Sequence, residues 1–391
     1  MAAEMKMRYG CNPHQPRARF FMRDGSDLPL QILSGAPSYI NMMDALNSWP
    51  LVRELKAATG LPAAASFKHV SPAGAAVAVP MSDELREASF VDDLELTPLA
   101  TAYARARGAD RLASFGDWIA LSDTVDVATA RIIEREVSDG IIAPGYEEEA
   151  LEILKNKKDG KYPVFQIDPD FNPPAVETRD VFGIALEQDH NDFVPDENFL
   201  SNVVTQRKEL SASARRDLLV ATIAVKYTQS NSVCLALDGQ VIGSGAGQQS
   251  RVHCVRLAAS KADNWYLRQH PKVRGMKFAK GVRRAERINA IDLYLQEEAT
   301  PAELKAWEAN YTEVPEPLTS AEKREWLDQL KEVALSSDAF FPFRDSIDRA
   351  SRSGVEYLVE AGGSLRDDLV IEAADEYGML MVLSGVRLFH H

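Results

Sequence analysis

The chain has 391 residues, 45% of them hydrophobic and 26% charged, and its formal net charge at pH 7 is −14. This length suits two or three domains, and no uninterrupted apolar run is long enough to cross a bilayer. The acidic balance argues against general nucleic-acid binding, which needs a basic surface. The three cysteines, Cys11, Cys234 and Cys254, lie far apart. Their spacing argues against a disulfide framework and a zinc site, and predicts a reducing, cytoplasmic setting.

Apolar runs alternate with helical periodicity along the chain, which is typical of an α/β fold. The predicted strands, in chain order, are 63–67, 111–115, 140–143, 182–187, 232–237, 240–243, 355–359 and 379–383. The predicted helices are 125–136, 212–225, 248–265, 281–297, 302–310, 321–333 and 369–377. Asp238 and Gly239 predict a hairpin turn between two strands. Thr319 and Glu322 predict a capping box at the start of the sixth helix.

A weak internal repeat relates residues 114–128 to residues 336–350. Both segments carry an aromatic run and then Asp-x-x-Asp-x-Ala at the start of a helix. Upstream, Lys68 would correspond to Lys226, and the longer spacing in the second copy falls on a charged, helical region. The repeat predicts two similar α/β units, the second interrupted by a helical insert. The corresponding domains are residues 1–176, residues 177–267 with 331–391, and an insert at 268–330.

The stretch SFKHVSPAG, residues 66–74, places a lysine beside a histidine at the end of a predicted strand. Neighbouring residues of a strand point to opposite faces, so Lys68 and His69 serve one site only if the backbone bends there. Pro72 and Gly74 favour such a bend. A lysine and a histidine held together can take a proton from a weak nucleophile and stabilise developing negative charge. The alternative is a strand end whose polar residues simply meet water.

Two further motifs are rich in polar side chains. RYGCNPHQ, residues 8–15, is either a polar N-terminal arm or a loop that clamps an anion through Arg8, whose planar guanidinium suits phosphate. KYTQSNSV, residues 226–233, contains many turn-forming residues. Its amides would also suit a heterocyclic carboxamide or amine, and its hydroxyl oxygens would suit a monovalent cation.

Two other segments resemble ligand-binding sequences less closely. GSGAGQQSRVHC, residues 243–254, matches a dinucleotide fingerprint poorly, because its glycine spacing differs and the acidic ribose partner is missing. Small residues that bend a strand into a helix explain it better, with Arg251 in the first helical turn, where anions bind. HPKVRGMKFAKGVRRAER, residues 270–287, is either a solvated helix face or a contact for an acidic ligand tail.

Taken together, RYGxNPHQ, SFKHVSPAG, KYTQSNSV, GAGQQSR and the terminal RLFHH resemble the transformylase part of the AICAR formyltransferase/IMP cyclohydrolase family, as do several longer segments in the same order. AICAR is 5-aminoimidazole-4-carboxamide ribonucleotide. Members of that family carry a cyclohydrolase domain before the RYG motif, whereas about seven residues precede it here. The resemblance therefore implies formyl transfer from 10-formyltetrahydrofolate to AICAR, late in purine (IMP) biosynthesis, without ring closure.

The resemblance also implies a fold and an assembly. The fold is α/β, with two cytidine-deaminase-like domains, the second interrupted by a helical insert. The deaminase zinc signature, H-x-E with P-C-x-x-C, is absent from the sequence, so the likeness implies a scaffold and no zinc chemistry. The expected partners are a second copy of the chain, with sites at the subunit interface, and the small molecules AICAR and folate, with no nucleic acid and no membrane.

The roles of individual residues come from the same resemblance, position by position. The implied catalytic residues are Lys68, His69 and Asn231, and it stays open which of Lys68 and His69 is the formal base. The implied nucleotide-binding residues are Arg8, Tyr9, Gly116, Asp139, Arg251 and Arg387. The implied folate-binding residues are Val252, Phe340, Asp345 and Ser364. A monovalent cation, K⁺, is implied near Val225, Thr228, Ser230, Ser232 and Asp338.

Overall fold

An eleven-stranded mixed sheet is the main feature of the computed structural model, which describes residues 4–196, 198–296 and 299–391. Up to residue 189 the elements are β1 Glu4–Met7, β2 Ala18–Phe21, β3 Leu30–Ser34, α1 Tyr39–Thr59, β4 Ala63–Lys68, β5 Ser71–Val77, α2 Asp83–Ala88, α3 Pro98–Ala109, β6 Asp117–Leu121, α4 Val127–Arg135, β7 Ser138–Ala143, α5 Glu148–Asn156, β8 Val164–Ile167, β9 Val176–Val181 and β10 Ile184–Asp189.

The second half begins with α6 Ala212–Lys226, β11 Val233–Leu237, β12 Gln240–Gly245 and α7 Arg251–Leu267. The predicted insert contains α8 Pro271–Arg274, β13 Lys277–Phe278, α9 Arg284–Leu295, α10 Pro301–Glu308, β14 Tyr311–Glu313 and α11 Ser320–Leu327. The remaining elements are β15 Val333–Ser337, α12 Asp345–Ser351, β16 Val355–Glu360, α13 Asp367–Glu376 and β17 Leu380–Leu383. The predicted α/β class is therefore confirmed. None of the helices in the described residues is long and apolar enough to cross a membrane.

Five strands in each half of the sheet have the same order and the same pairing, and β3 adds a sixth strand to the first half. The sheet runs β17-β16-β15-β11-β12-β5-β4-β6-β7-β8-β3. In each half an antiparallel hairpin, β4–β5 or β11–β12, is followed outward by one antiparallel strand and two parallel ones. The halves meet where β12 pairs antiparallel with β5, Gln240 opposite Ala76. The two halves are therefore related approximately by twofold symmetry between these central strands.

Several predictions from the repeat and the pattern need correction. Lys226 ends a helix, whereas Lys68 ends a strand, so the two lysines are not equivalent. Residues 111–115 form a turn and not a strand, because Asp110 accepts the Ala113 amide at 3.0 Å and the strand begins only at Asp117. These local hydrogen bonds outweigh the apolar character of the segment.

Two more predicted boundaries differ from the structure. The sixth predicted helix ends at Leu327, because residues from Val333 pair in the sheet as β15. In the predicted strand 182–187, Phe182 has φ 54° and forms the hairpin turn before β10. The Thr319–Glu322 capping box and the left-handed turn at Asp238 and Gly239 are confirmed.

Close packing of α7 on β12 fixes where α7 begins. An ideal Cβ on Gly243 would lie 2.1 Å from the Ala258 carbonyl oxygen, and one on Gly245 would lie 2.2 Å from the Cys254 carbonyl oxygen. Glycine is required at both positions because the helix backbone approaches the strand so closely. The helix therefore starts directly beside the end of β12 and places Arg251 there.

Strand register brings many loops to one edge of the sheet, which we call the site edge. It is formed by the ends of β4, β6 and β7 at Lys68, Asp117 and Ser138, and by the ends of β11, β12, β15, β16 and β17 at Val233, Gly245, Ser337, Glu360 and Leu383. The antiparallel junction between β12 and β5 aligns the two sets. Parallel strands commonly bind ligands at their carboxyl ends, and β15, β16 and β17 end at this edge, whereas β6 and β7 begin there.

Candidate functional site

The turn that follows β4 is strained. His69 and Val70 have φ values of 52° and 59°, a left-handed conformation that a β-branched residue rarely adopts. At the equivalent turn of the second half, the residues are Asp238 and Gly239, which tolerate it. The predicted bend is thus present, although it lies at His69 and Val70. A strained backbone conformation that the residues themselves do not favour is typical of functional sites.

Asp44 holds this turn in place and was not predicted. Its Oδ1 accepts the Val70 amide at 2.7 Å from within α1. Burial raises the pKa of the Asp44 carboxyl, and the Val70 amide and His69 oppose that rise. The only sequence signal was an aspartate among the apolar residues of α1. The loop that pairs with it lies more than twenty residues further along the chain, at Val70.

Lys68, Gly116 and Asp139 come together beside the turn. The Lys68 ammonium donates to the Phe115 carbonyl. An ideal Cβ on Gly116 would lie 3.7 Å from Lys68 Nζ and 3.9 Å from the Asp139 carboxylate oxygens, and its φ is 71°. Asp139 also accepts from Lys158 Nζ at 3.0 Å. We call Lys68, His69, Gly116 and Asp139 the Lys68 cluster, and it brings together four of the predicted site residues.

A second group of predicted residues surrounds the start of α7. Arg251 donates to Asn231 Oδ1 at 3.0 Å, to the Ser232 carbonyl at 3.1 Å, and to the Asp338 carboxylate. The Arg251 and Asp338 side chains are almost fully buried. A buried, charge-assisted pair of this kind fixes the orientation of the Asn231 amide. We call Asn231, Arg251 and Asp338 the Arg251 cluster.

Two of the residues implied for a monovalent cation, Ser230 and Ser232, contact the same aspartate. The residues implied for this site are at the end of α6 and the starts of β11 and of the loop after β15: Val225, Thr228, Ser230, Ser232 and Asp338. Asp338 Oδ2 accepts from Ser230 Oγ at 2.6 Å and from the Ser232 amide at 3.0 Å. Ser232 Oγ is buried without a hydrogen-bond partner. These donors fit K⁺, and Arg251 already balances the Asp338 charge, which disfavours a divalent ion.

The predicted folate-binding residues are distributed along the site edge. Val252 follows Arg251 in α7, Phe340 lies in the loop after β15 with 41% of its surface exposed, and Asp345 begins α12. Ser364 lies in the loop after β16, where its hydroxyl accepts the Arg366 amide at 3.1 Å. These loops leave the carboxyl ends of parallel strands and therefore meet at one edge.

The predicted site residues near the two chain termini lie in different surroundings. Arg387 lies one residue before Leu388, whose amide donates to the Asp338 carbonyl at 2.8 Å, so the C-terminal segment docks on the Arg251 cluster. Arg8 is exposed, and its guanidinium lies 5.9 Å from the ring of its neighbour Tyr9. Among the described residues, no hydrogen bond or ion pair joins Arg8 or Tyr9 to either cluster.

Glu360 is a further residue that the sequence did not indicate. It ends β16, is 1% exposed, and accepts the Phe341 amide through Oε2. Its other carboxylate oxygen, Oε1, is buried without a hydrogen-bond partner. Burial, with a smaller contribution from Asp367, raises the pKa of Glu360 to about 8, against the opposing effects of the Phe341 amide and Arg251. A carboxyl group that is largely neutral therefore supports the loop that carries Phe340.

The two clusters lie on the same edge but do not touch within one chain. Lys68 ends β4, and Asn231 lies two residues before β11, which is three strand spacings from β4, about 14 Å at ordinary strand separation. A hydrogen bond from the Gln229 amide to Ser71 Oγ, at 3.2 Å, joins the intervening loops. The predicted catalytic residues therefore face a shared edge from opposite sides of the sheet centre.

Known proteins resemble this chain over almost its whole length. A family model described as AICARFT/IMPCHase bienzyme matches residues 1–261. Relatives named bifunctional purine biosynthesis protein PurH, from two strains of Cereibacter sphaeroides and from Roseobacter denitrificans, are 34%, 34% and 33% identical over 390 residues. The matches cover 98% of this chain and 59% of each relative, so the chain spans about three-fifths of the length of these curated relatives.

Proposed function

The chain belongs to the AICARFT/IMPCHase bienzyme family, and we propose that it transfers a formyl group from 10-formyltetrahydrofolate to the 5-amine of AICAR. The product is formyl-AICAR, formed late in IMP biosynthesis. The observation that carries this proposal is the Lys68 cluster. A strained turn there follows Lys68 directly with His69, and the Lys68 ammonium lies close to Gly116 and Asp139.

The reaction needs help with both nucleophile and leaving group. The AICAR amine is conjugated with an imidazole that bears a carboxamide, so its lone pair is delocalised and it attacks weakly. Attack on the formyl carbon forms a tetrahedral oxyanion, which collapses as the C–N10 bond breaks and N10 takes up a proton. Holding the two substrates in place supplies about 7–11 kcal/mol. A positioned acid–base group supplies a further ~10²–10⁴-fold.

Lys68 and His69 are the residues we assign to these steps. The His69 imidazole is exposed at the turn and accepts the amine proton, with the substrate carboxamide beside it. The Lys68 ammonium, beside Gly116 and Asp139, stabilises the oxyanion or protonates N10. We assign the base to the pair, because their adjacency lets either carry the proton.

The remaining predicted residues bind the substrates in this proposal. Asn231, held by Arg251, orients the formyl group. The nucleotide is bound by Arg8, Tyr9, Gly116, Asp139, Arg251 and Arg387. The folate is bound by Val252, Phe340, Asp345 and Ser364, where the exposed Phe340 ring suits the pterin face. K⁺ at the Thr228–Asp338 oxygens would order the loop that carries Asn231.

The assembly we propose is a homodimer with shared sites. Within one chain the two clusters are about 14 Å apart along the edge. A second copy would set its Arg251 cluster against the Lys68 cluster of the first and so complete two sites. We keep the boundaries at 176, 267 and 330, and the cytidine-deaminase-like assignment of both halves, as part of this proposal. Their matching strand order supports it. Three free cysteines support a cytoplasmic location.

A combined absorbance and mass assay tests the proposal. The protein is mixed with AICAR and 10-formyltetrahydrofolate, and the expected product is formyl-AICAR without IMP, because we assign ring closure to none of these residues. Lys68→Ala and His69→Ala should each lower turnover at least 100-fold. Lys155→Ala and His190→Ala serve as controls, since both side chains are partly exposed and lie beside surface glutamates.

Three outcomes contradict the proposal in different ways. IMP as the product would reject the absence of ring closure. A Lys68 or His69 variant with near-wild-type turnover would remove that residue from the mechanism. A protein that binds AICAR calorimetrically but forms no formyl product would be a nucleotide-binding protein and not a transferase.

A further inference from the structure

A cavity of about 720 Å³ lies between the first half of the sheet and the 268–330 segment. Its walls come from the loop after α2, the turn after α3, α7, and α9. None of the residues assigned above to AICAR, folate or catalysis lines it. Its volume lies within the range of small-molecule sites in proteins. The cavity is therefore large enough for a ligand and distinct from the site edge.

One part of the lining is apolar and aromatic. Phe90, Met276, Phe278, Ile288 and Leu295 all line the cavity. The Phe278 ring stacks on Tyr311, with centroids 5.0 Å apart, which fixes its orientation. A fixed aromatic ring in an apolar wall suits a planar ligand group.

Two arginines in the lining donate to backbone carbonyls. Arg268 donates to the Gly108 and Ala109 carbonyls at 2.6 and 2.7 Å, and Arg287 donates to the Val282 carbonyl at 3.2 Å. Within residues 4–196, 198–296 and 299–391, neither forms an ion pair. Burial lowers the pKa of Arg268 to about 10, so it remains charged at neutral pH.

The other charges of the lining are largely compensated. Three of the lining cations are paired: Lys261 with Asp110 at 3.0 Å, Arg111 with Glu136 at 2.9 Å, and Arg274 with Glu87. Asp92 and Asp292 also line the cavity, and Asp110 and Asp292 attract the Arg268 guanidinium. The Arg268 and Arg287 guanidiniums, which are outside any ion pair among the described residues, lie beside an apolar wall and favour an anion attached to an aromatic group.

The wall after α3 leads directly to the Lys68 cluster. Residues 110–113 line the cavity, and Asp110 accepts the Ala113 amide at 3.0 Å. The next residues bind the catalytic strand, because Ser114 accepts from Ser66 Oγ at 2.8 Å and Phe115 accepts from Lys68. A ligand that contacts this turn therefore acts on the segment that positions the Lys68 ammonium.

We propose that this cavity binds a small aromatic anion, a carboxylate or sulfonate, with the anionic group at Arg268 and Arg287 and the ring against Phe278. Ligand binding in the cavity stabilises the turn at 110–116 and so affects the hydrogen bond from Lys68 to the Phe115 carbonyl. The proposal concerns a second site and does not depend on the identity of the reaction at the first.

Fluorescence titration with 1-anilinonaphthalene-8-sulfonate, an aromatic sulfonate, tests the site. The wild-type protein should bind one equivalent saturably, and Arg287→Glu and Ile288→Trp should each weaken binding at least tenfold. Lys277→Glu is the matched control, because it reverses a charge in the same segment at an exposed pair with Glu313, outside the cavity. The affinity of Lys277→Glu for the sulfonate should stay within twofold of the wild-type value. N-phenyl-1-naphthylamine, which lacks the sulfonate, should bind at least tenfold more weakly.

If both cavity variants bind the sulfonate with wild-type affinity, the sulfonate does not bind in this cavity. If the neutral naphthylamine binds as tightly as the sulfonate, the cavity does not select an anion. Circular dichroism checks that each variant folds. If Ile288→Trp does not fold, Arg287→Glu decides, since it removes no ion pair. Amide hydrogen exchange measures whether ligand binding in the cavity affects the turn beside Lys68. The sulfonate should slow exchange of amides 113–117 at least threefold, and protection limited to α9 would overturn the link to Lys68.

Discussion

Replacing Glu360 with glutamine should change how stability depends on pH. The ordinary pKa of glutamate is 4.5, and burial raises that of Glu360 to about 8. Between these values the folded protein keeps a proton that the unfolded chain has released, so stability falls as pH rises. The stabilising effect of the protonated carboxyl is complete below pH 4.5 and is lost as pH rises through 8. Glutamine has the shape of the protonated acid and does not titrate.

The magnitude follows from the linkage relation. Each pH unit within the window contributes about 1.4 kcal/mol, so the stability of the glutamine variant relative to wild type should rise by about 2–3 kcal/mol between pH 5.5 and 7.5. For a chain of this length, that corresponds to a relative increase of about 3 °C in the unfolding midpoint. Other titrating groups are common to both proteins and cancel in the difference.

Thermal unfolding of both proteins at pH 5.5 and 7.5 measures this difference. Glu356→Gln is the control, because Glu356 lies on the same strand but pairs with Arg207 at 3.0 Å near solvent. If the difference between Glu360→Gln and wild type is the same at both pH values, Glu360 is ionised throughout. The Phe340 loop would then be supported by a charged carboxylate and not by a neutral carboxyl group.

Three further substitutions test the packing around the site. Val70→Gly should leave stability unchanged or raise it by up to about 1 kcal/mol in urea unfolding, because glycine relieves the strain at φ 59°; a loss above 1 kcal/mol would contradict this. Arg107→Ala should lower the free energy of unfolding by about 3–5 kcal/mol, because it leaves Asp117, bound at 2.6 Å, buried without its cation; a loss below 1 kcal/mol would argue against that charge. Gly243→Ala should cost about 1–3 kcal/mol in the same assay, because its Cβ would lie 2.1 Å from the Ala258 carbonyl, and wild-type stability would show that α7 can move away.

Local sequence determined those features whose causes lie within a few residues. The Asp238–Gly239 turn follows from the conformational freedom of those two residues, and the Thr319–Glu322 box from hydrogen bonds across three residues. The α/β class follows from the alternation of periodicities. Lys68 and His69 are consecutive in the sequence, so they are close together in any fold.

Features that depend on distant segments appeared only with the tertiary structure. Residues 111–115 have the composition of a strand, but the sheet pairs at Asp117 instead. Asp44 and Glu360 are ordinary carboxylates in sequence, and only burial by other segments makes them unusual.

The sequence by itself therefore determined which chemical groups this protein has and in what local order. The arrangement of those groups along one edge was decided by tertiary structure, through the antiparallel pairing of β12 with β5. The physical reason is that strand register and desolvation depend on contacts between residues far apart in the chain, which no local pattern encodes.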